Sequence, residues 1–214
     1  VCVGTIGTMQ KTKGGTTGAG AHGGEAAPGT RERILETTAR LLQRQGYEAS
    51  GIKQIAREAN ATLGSVYHFF PGGKQALAAE AIRHSDREMT ELLRESMASA
   101  EDPATAVVNC TRMLGEALRA SGWTDGCPVT TTALEAVGRA PELERACAEA
   151  LQNWQDVLHD TFRAGGIPEP DAGELALTVI NTLEGAEMAA QLQRSEKPLQ
   201  VAGRHLERLI RLYV

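Results

Sequence analysis

The chain has no run of apolar residues approaching the roughly 20 needed to cross a bilayer. Nor does an apolar core follow a basic start, as it would in a secretion signal. The expectation is a soluble, cytoplasmic protein with no membrane partner. Cysteine is scarce: Cys2, Cys110, Cys127 and Cys147 form no CxxC pair, and no histidine stands at metal-ligand spacing from them. That argues against a zinc site and for free thiols in a reducing compartment. No metal and no cofactor are expected. The motifs of common catalytic machinery are missing too: there is no HExxH, no GxSxG, no phosphate-binding loop and no GxGxxG after a strand. Glu135, Glu184 and Glu187 fall on helical segments, but without the repeated ExxH pairs of a di-metal bundle. An enzyme is therefore not expected. No stretch of alternating Val, Ile and Thr suggests a sheet.

What is present is a chain of 214 residues, 42% of them hydrophobic, long enough for one or two domains around a sizeable core. The net charge is −5 but unevenly spread. Residues 30 to 80 carry +2, the first 29 carry +1, and the rest of the chain −8. The positive charge gathers where a polyanion would be met, although a solvated helical surface has the same pattern. Residues 1–29 hold nine of the 23 glycines and few apolar residues after Ile6, so they read as a disordered N-terminal arm. Lys11 and Lys13, with Arg31 just beyond it, are the basic residues it could bring to a polyanion. Val1 and Met9 are both possible starts.

The segment from Ser50 to Lys74 reads as a helix, a turn, a short second helix and a stop before a third. This is the pattern of a helix-turn-helix (HTH) motif, here over about 51–70. Ser50 is expected to cap the first helix. Ile52, Ile55 and Ala56 share one face. The turn falls at Ala59-Asn60-Ala61, where asparagine tolerates a positive φ. Thr62 caps a helix from Leu63 to about Phe69, and Pro71-Gly72-Gly73 ends it. Ser50, Thr62, Tyr67 and Lys74 are candidates for phosphate. Lys53 can reach a phosphate or a base. Leu63, Ser65 and His68 would face bases, and Gly64 would allow close approach. Val66 and Phe70 read as core.

At these residues the chain resembles the TetR family of transcriptional regulators. Thr30-Arg31, Ile34-Leu35, Leu41-Leu42 and Gly46-Tyr47 match that family's first helix and its exit. Ile55-Ala56, Ala59, Gly64-Ser65-Val66-Tyr67 and Lys74 match the rest. Phe70-Pro71-Gly72-Gly73-Lys74, one residue longer than the usual loop, and Gly126-Cys127-Pro128-Val129 are similar to its LmrA/YxaF-like branch. Asn60 stands where glycine is usual, Ala61 where valine is, and Phe69 where His or Tyr is common. The resemblance implies phosphate contacts from Tyr67 and Lys74, a homodimer, a palindromic double-stranded DNA operator and a small-molecule effector.

Beyond Gly73 the apolar spacing stays helical, with Pro103, Pro128, Pro141, Asp171 and Pro198 near helix starts. The expected fold is all-α, with about nine helices: a three-helix DNA-binding domain over 30–77 and a helical effector-binding and dimerisation domain over 78–214. Met113, Trp123, Cys127, Trp154, Leu158 and Phe162 are the candidate ligand walls, with His159 or Asn181 as a polar handle. Few charges fall among them, so a neutral hydrophobic or aromatic effector is expected; each residue also reads as plain core. Leu183, Ala186, Met188, Ala189 and Leu192, beside Gly185 and Ala190, are the dimer candidates. The alternative is a helical interaction module without specific DNA binding; salt-dependent DNA binding separates the two.

Overall fold

The computed structural model describes residues 29–214. The expected arm over 1–29 lies, except for Gly29, outside the described residues. Among those residues all regular structure is helical: α1 (Thr30–Ala49), α2 (Ile52–Glu58), α3 (Leu63–Phe69), α4 (Gly73–Ala98), α5 (Pro103–Ala120), α6 (Pro128–Ala136), α7 (Pro141–Ala164), α8 (Asp171–Gln193) and α9 (Lys197–Ile210). Prolines stand in the first turn of α5, α6, α7 and α9, where a missing N–H costs nothing. Asp102 caps α5, its carboxylate accepting from the Thr105 amide at 2.9 Å. α9 begins at Lys197, one residue before the expected proline.

The helices pack through single apolar stripes. On α1, Ile34, Leu35, Thr38, Leu41 and Leu42 recur at helical spacing and are all buried. α1 lies against α4 and α6, and α2 and α3 close the small N-terminal unit over it. The long α4 leaves that unit and packs on α7; α8 packs on α7 and α9, and α9 on α5. Gly203 allows this last contact, since a Cβ there would stand 2.5 Å from Thr111 Oγ1. Cys110, Cys127 and Cys147 are buried free thiols. Burial pushes Cys110 up to about 11 and Cys147 to about 12, so both stay protonated. No described helix is long and apolar enough to cross a membrane.

Candidate nucleic-acid interface and ligand cavity

α2 and α3 are joined by the turn the residues call for. Asn60 has φ 49°, and the Ala61 amide donates to Ala56 O at 2.9 Å. Arg33 Nε reaches the Ala59 carbonyl at 3.3 Å, tying the turn to α1. Thr62 caps α3, its hydroxyl oxygen accepting from the Ser65 amide at 3.0 Å and sharing a hydrogen bond with Ser65 Oγ at 2.9 Å. Val66 and Phe70 are fully buried and set the angle of α3 against α1. The opposite face presents Leu63 (40% exposed), Gly64, Tyr67 (52% exposed) and His68. Lys53 is exposed on α2, and Ser65 is half-buried beside its cap.

Ser50 departs from expectation. It is buried, and Gly51, without a side-chain cap, precedes α2. Gly46, at φ 76°, bends the end of α1, and the Ser50 hydroxyl donates to its carbonyl at 2.6 Å. In this conformation it offers neither a cap nor a phosphate contact.

Lys74 stands in the first turn of α4, where no side chain caps the exposed amides. Its ammonium donates to Glu48 O at 3.1 Å and lies 4.3 Å from the centre of the Tyr47 ring. Tyr47 and Glu48 are themselves fixed from the body. Their amides donate to Glu135 Oε2 on α6 at 2.5 and 3.1 Å. A Cβ at position 46 would stand 2.7 Å from the same carboxylate, so glycine admits this contact. A second bridge joins Arg44 Nε to buried Asp125 at 2.6 Å, with Nη2 at 3.1 Å. Besides the packing of α1 on α4 and α6, polar bridges thus tie the N-terminal unit to the loop before α6 and to its last turn.

Between α4, α5, α7 and α8 lies a cavity of about 50 Å³. Met113, Cys127 and Trp154 line it, as do Met89, Leu93 and Cys110. Trp123, Leu158 and Phe162 do not. Trp123 is in the turn after α5 at φ 67°, and Leu158 and Phe162 are buried elsewhere in the core. Neither expected polar handle reaches the cavity. Asn181 is exposed, and His159 pairs on the surface with Glu169 and Asp160, which raise its pKa. The polar groups there are instead Glu184 and Glu187 of α8 and Ser85 and Glu88 of α4. The signal for Glu187 was present in the spacing. It falls on the stripe Ile180, Leu183, Glu187 and Ala190, all buried. Burial, then the charge of Glu184, pushes it up to about 7. Burial also raises Glu184, which accepts a hydrogen bond from Thr130 Oγ1 of α6.

Among the dimer candidates, Leu183 is buried and lines the cavity, so it faces its own chain. Ala186 and Ala189 are half-buried. Met188 and Leu192 are exposed and continue a stripe with Leu177 and Gly185. Among the described residues, no three His, Cys, Asp or Glu side chains are grouped to hold a metal.

Two family models match the chain. One, described as bacterial regulatory proteins of the tetR family, covers residues 34–81. The other, described as the C-terminal domain of LmrA/YxaF-like transcriptional regulators, covers residues 103–205. The chain is 31% identical to the HTH-type transcriptional regulator YxaF of Bacillus subtilis, over 85% of this chain and 95% of YxaF. It is 32% identical to the B. subtilis regulator LmrA, over 79% and 90% of the two chains. A crystal structure of regulatory protein TetR from Rhodobacter sphaeroides superimposes with a TM-score of 0.76 at 25% identity, over 84% of this chain and 97% of that one.

Proposed function

Because the chain belongs to the TetR family of DNA-binding transcriptional regulators, a family without enzymatic activity, in its LmrA/YxaF-like branch, we propose that it is a cytoplasmic repressor that binds a palindromic operator as a homodimer and is released by a small hydrophobic or aromatic effector. Two relatives, KstR of Mycobacterium tuberculosis and NemR of Escherichia coli, are named transcriptional repressors. Residues 30–77 are the DNA-binding unit in this reading, and 78–214 bind the effector and the second protomer.

The observation that carries the reading is the outward face of α3 with Lys74 beside it. Leu63, Gly64, Tyr67 and His68 are exposed together while Val66 and Phe70 are buried behind them. Ser65 and Lys53 border this face, and Thr62 fixes where it begins. In the bound state Tyr67, Lys74 and Thr62 take phosphates, and Leu63, Ser65 and His68 face base edges. One seven-residue helix reads few base pairs, so two copies are needed for useful specificity. The exposed stripe of Leu177, Gly185, Met188 and Leu192 on α8, bordered by Ala186 and Ala189, supplies a self-complementary surface.

Release needs only a ligand that binds two conformations differently. α6 is the connection that supports this. Its first turn meets the cavity through Cys127 and through the Thr130–Glu184 hydrogen bond. Its last turn holds Tyr47 and Glu48 through Glu135, and Tyr47 with Glu48 holds Lys74. A ligand that shifts α6 therefore shifts a phosphate contact.

The test is a salt series of binding to the DNA flanking the protein's own coding region, with a Tyr67→Ala/Lys74→Ala variant alongside. Saturable, salt-sensitive binding is expected, weaker by roughly 100-fold in the variant, with a salt slope lower by about 1 for the lost ammonium. If that DNA gives no binding, operators are selected from random DNA. Failure of both, or a variant that binds as the parent does, sinks the reading.

A further inference from the structure

The cavity between α4, α5, α7 and α8 is apolar on most of its wall but not neutral. Glu184 and Glu187 are three positions apart on α8 and both line it. Glu187 is 4% exposed and has no hydrogen bond or ion pair among the described residues. A buried carboxylate is costly to keep ionised, and no basic side chain lines this cavity. The third acid, Glu88, already faces His84 at 3.5 Å on its own helix. A second, independent observation lies on α7. Trp154, 3% exposed, lines the same cavity, and its indole N–H has no hydrogen-bond partner among the described residues. The site therefore offers two carboxylates, one donor without a partner among the described residues and an aromatic face.

We propose that the effector of this cavity is a compact organic cation: an amine whose ammonium sits against Glu187 and Glu184, with an apolar or aromatic body carrying one oxygen acceptor toward Trp154. The assignment rests on the effector-responsive reading above and narrows it, replacing the neutral ligand expected from the aromatic and aliphatic residues alone. Each part of the ligand answers a group on the wall. The ammonium donates charge-assisted hydrogen bonds to these carboxylates. The apolar body fills the space among Met89, Leu93 and Met113. At about 50 Å³ the closed cavity holds only a few water-sized groups. Its walls must open to admit the ligand, and the unbranched Met89 and Met113 side chains can re-pack as they do so. An ammonium on Glu184 competes with the Thr130 hydroxyl for the same carboxylate, which is the link to α6.

The test titrates the full-length protein by calorimetry at pH 8 with three probes of one shape: 4-methoxybenzylamine, 4-methoxybenzyl alcohol and 4-methoxybenzoate. The amine is expected to bind roughly tenfold or more tighter than the alcohol, and the benzoate not at all. In Glu184→Gln/Glu187→Gln, isosteric changes that remove the charges, the amine and the alcohol should bind within about threefold of each other. Alcohol or benzoate binding as tightly as the amine overturns the proposal, and so does a preference for the amine that survives the double substitution. No heat with any probe overturns it as well. Operator binding is followed with the same probes, which keeps the two readings apart. Release by the alcohol or the benzoate preserves an effector-responsive repressor and sinks the cation. Tight, glutamate-dependent amine binding without release preserves the cation site and sinks the release mechanism.

Discussion

The outward face of α3 and the cavity beneath α4 are built by opposite means. The α3 face is local. Between Ile52 and Phe69 a helix, a turn at Asn60, a cap at Thr62 and a second helix fix which side chains point out, and Val66 and Phe70 anchor the other side. The cavity is assembled from α4, α5, α7 and α8, whose lining residues run from Ser85 to Glu187. The local surface is neutral or basic and hydrogen-bonds through short-range capping. The long-range one encloses two acids with little solvent. A motif set by neighbours in sequence can be moved as a unit without altering its own geometry. A cavity set by distant helices changes shape whenever one of them moves. A DNA-reading unit worked from a ligand site requires this combination.

The largest test of that contrast is Phe70→Ala. Phe70 is 1% exposed at the end of α3, with the Arg31 guanidinium 5.3 Å from its ring centre. Removing the ring should cost about 3–5 kcal/mol. If the N-terminal unit is locally built, operator binding is lost while the amine titration at the cavity persists. Thermal unfolding followed with each ligand present reads both. Loss of amine binding at a temperature where the body stays helical would break the contrast, because the cavity would then depend on the integrity of α3.

A smaller effect, of opposite sign, is expected at Glu187. Its pKa in the folded protein is raised to about 7 by burial and by Glu184, above the ordinary carboxylate value of 4.5. The native state therefore holds a proton that the unfolded chain releases. Its contribution to stability is fully present below about pH 4.5 and is lost as pH rises through about 7. Glu187→Gln should match the parent near pH 4.5 and be more stable at pH 8, by about 3 kcal/mol at most. Chemical denaturation at the two pH values measures this. Glu184, the Glu88–His84 pair and the Cys110 and Cys127 thiols face the same space; all stay unchanged in the comparison. A bound amine should lower the pKa of Glu187 and remove the difference between the proteins at pH 8. An equal effect at both pH values would show that the carboxylate is not destabilised by burial.

The same contrast explains what could be read from the residues alone. Capping at Thr62, the positive φ at Asn60 and the helix starts near Pro103, Pro128 and Pro141 follow from single residues acting on their own backbone, and the structure has each where expected. The ligand walls do not work that way. Met113, Cys127 and Trp154 reach the cavity, whereas Leu158 and Phe162, equally apolar and on the same helical face as Trp154, are packed into solid core. Which of them meets empty space depends on where four helices leave a gap. Leu183 shows the limit from the other side. Its spacing suits either surface of α8, and only the packing of α8 on its neighbours turns it inward while Met188 and Leu192 stay out. Ser50 failed for a geometric reason: the bend at Gly46 brings a carbonyl to its hydroxyl before any amide of α2.

The smallest effect is at Asn60, and it asks how far the local unit depends on one backbone dihedral. At φ 49° a side chain with a Cβ is strained, asparagine less than most because its amide can bond locally. Asn60→Gly removes that strain but gives the unfolded chain more freedom to lose, so the two terms oppose each other. Stability should move by no more than about 0.5 kcal/mol. Asn60→Ala puts in the left-handed region a residue that tolerates it less well than asparagine and should lose about 1 kcal/mol. Operator affinity should follow the same order, because the turn only orients α3 and touches no base in the proposed complex. Asn60→Ala with parental stability but much weaker DNA binding would give Asn60 a direct contact with DNA. The outward face of α3 would then have to be extended to include the turn before it.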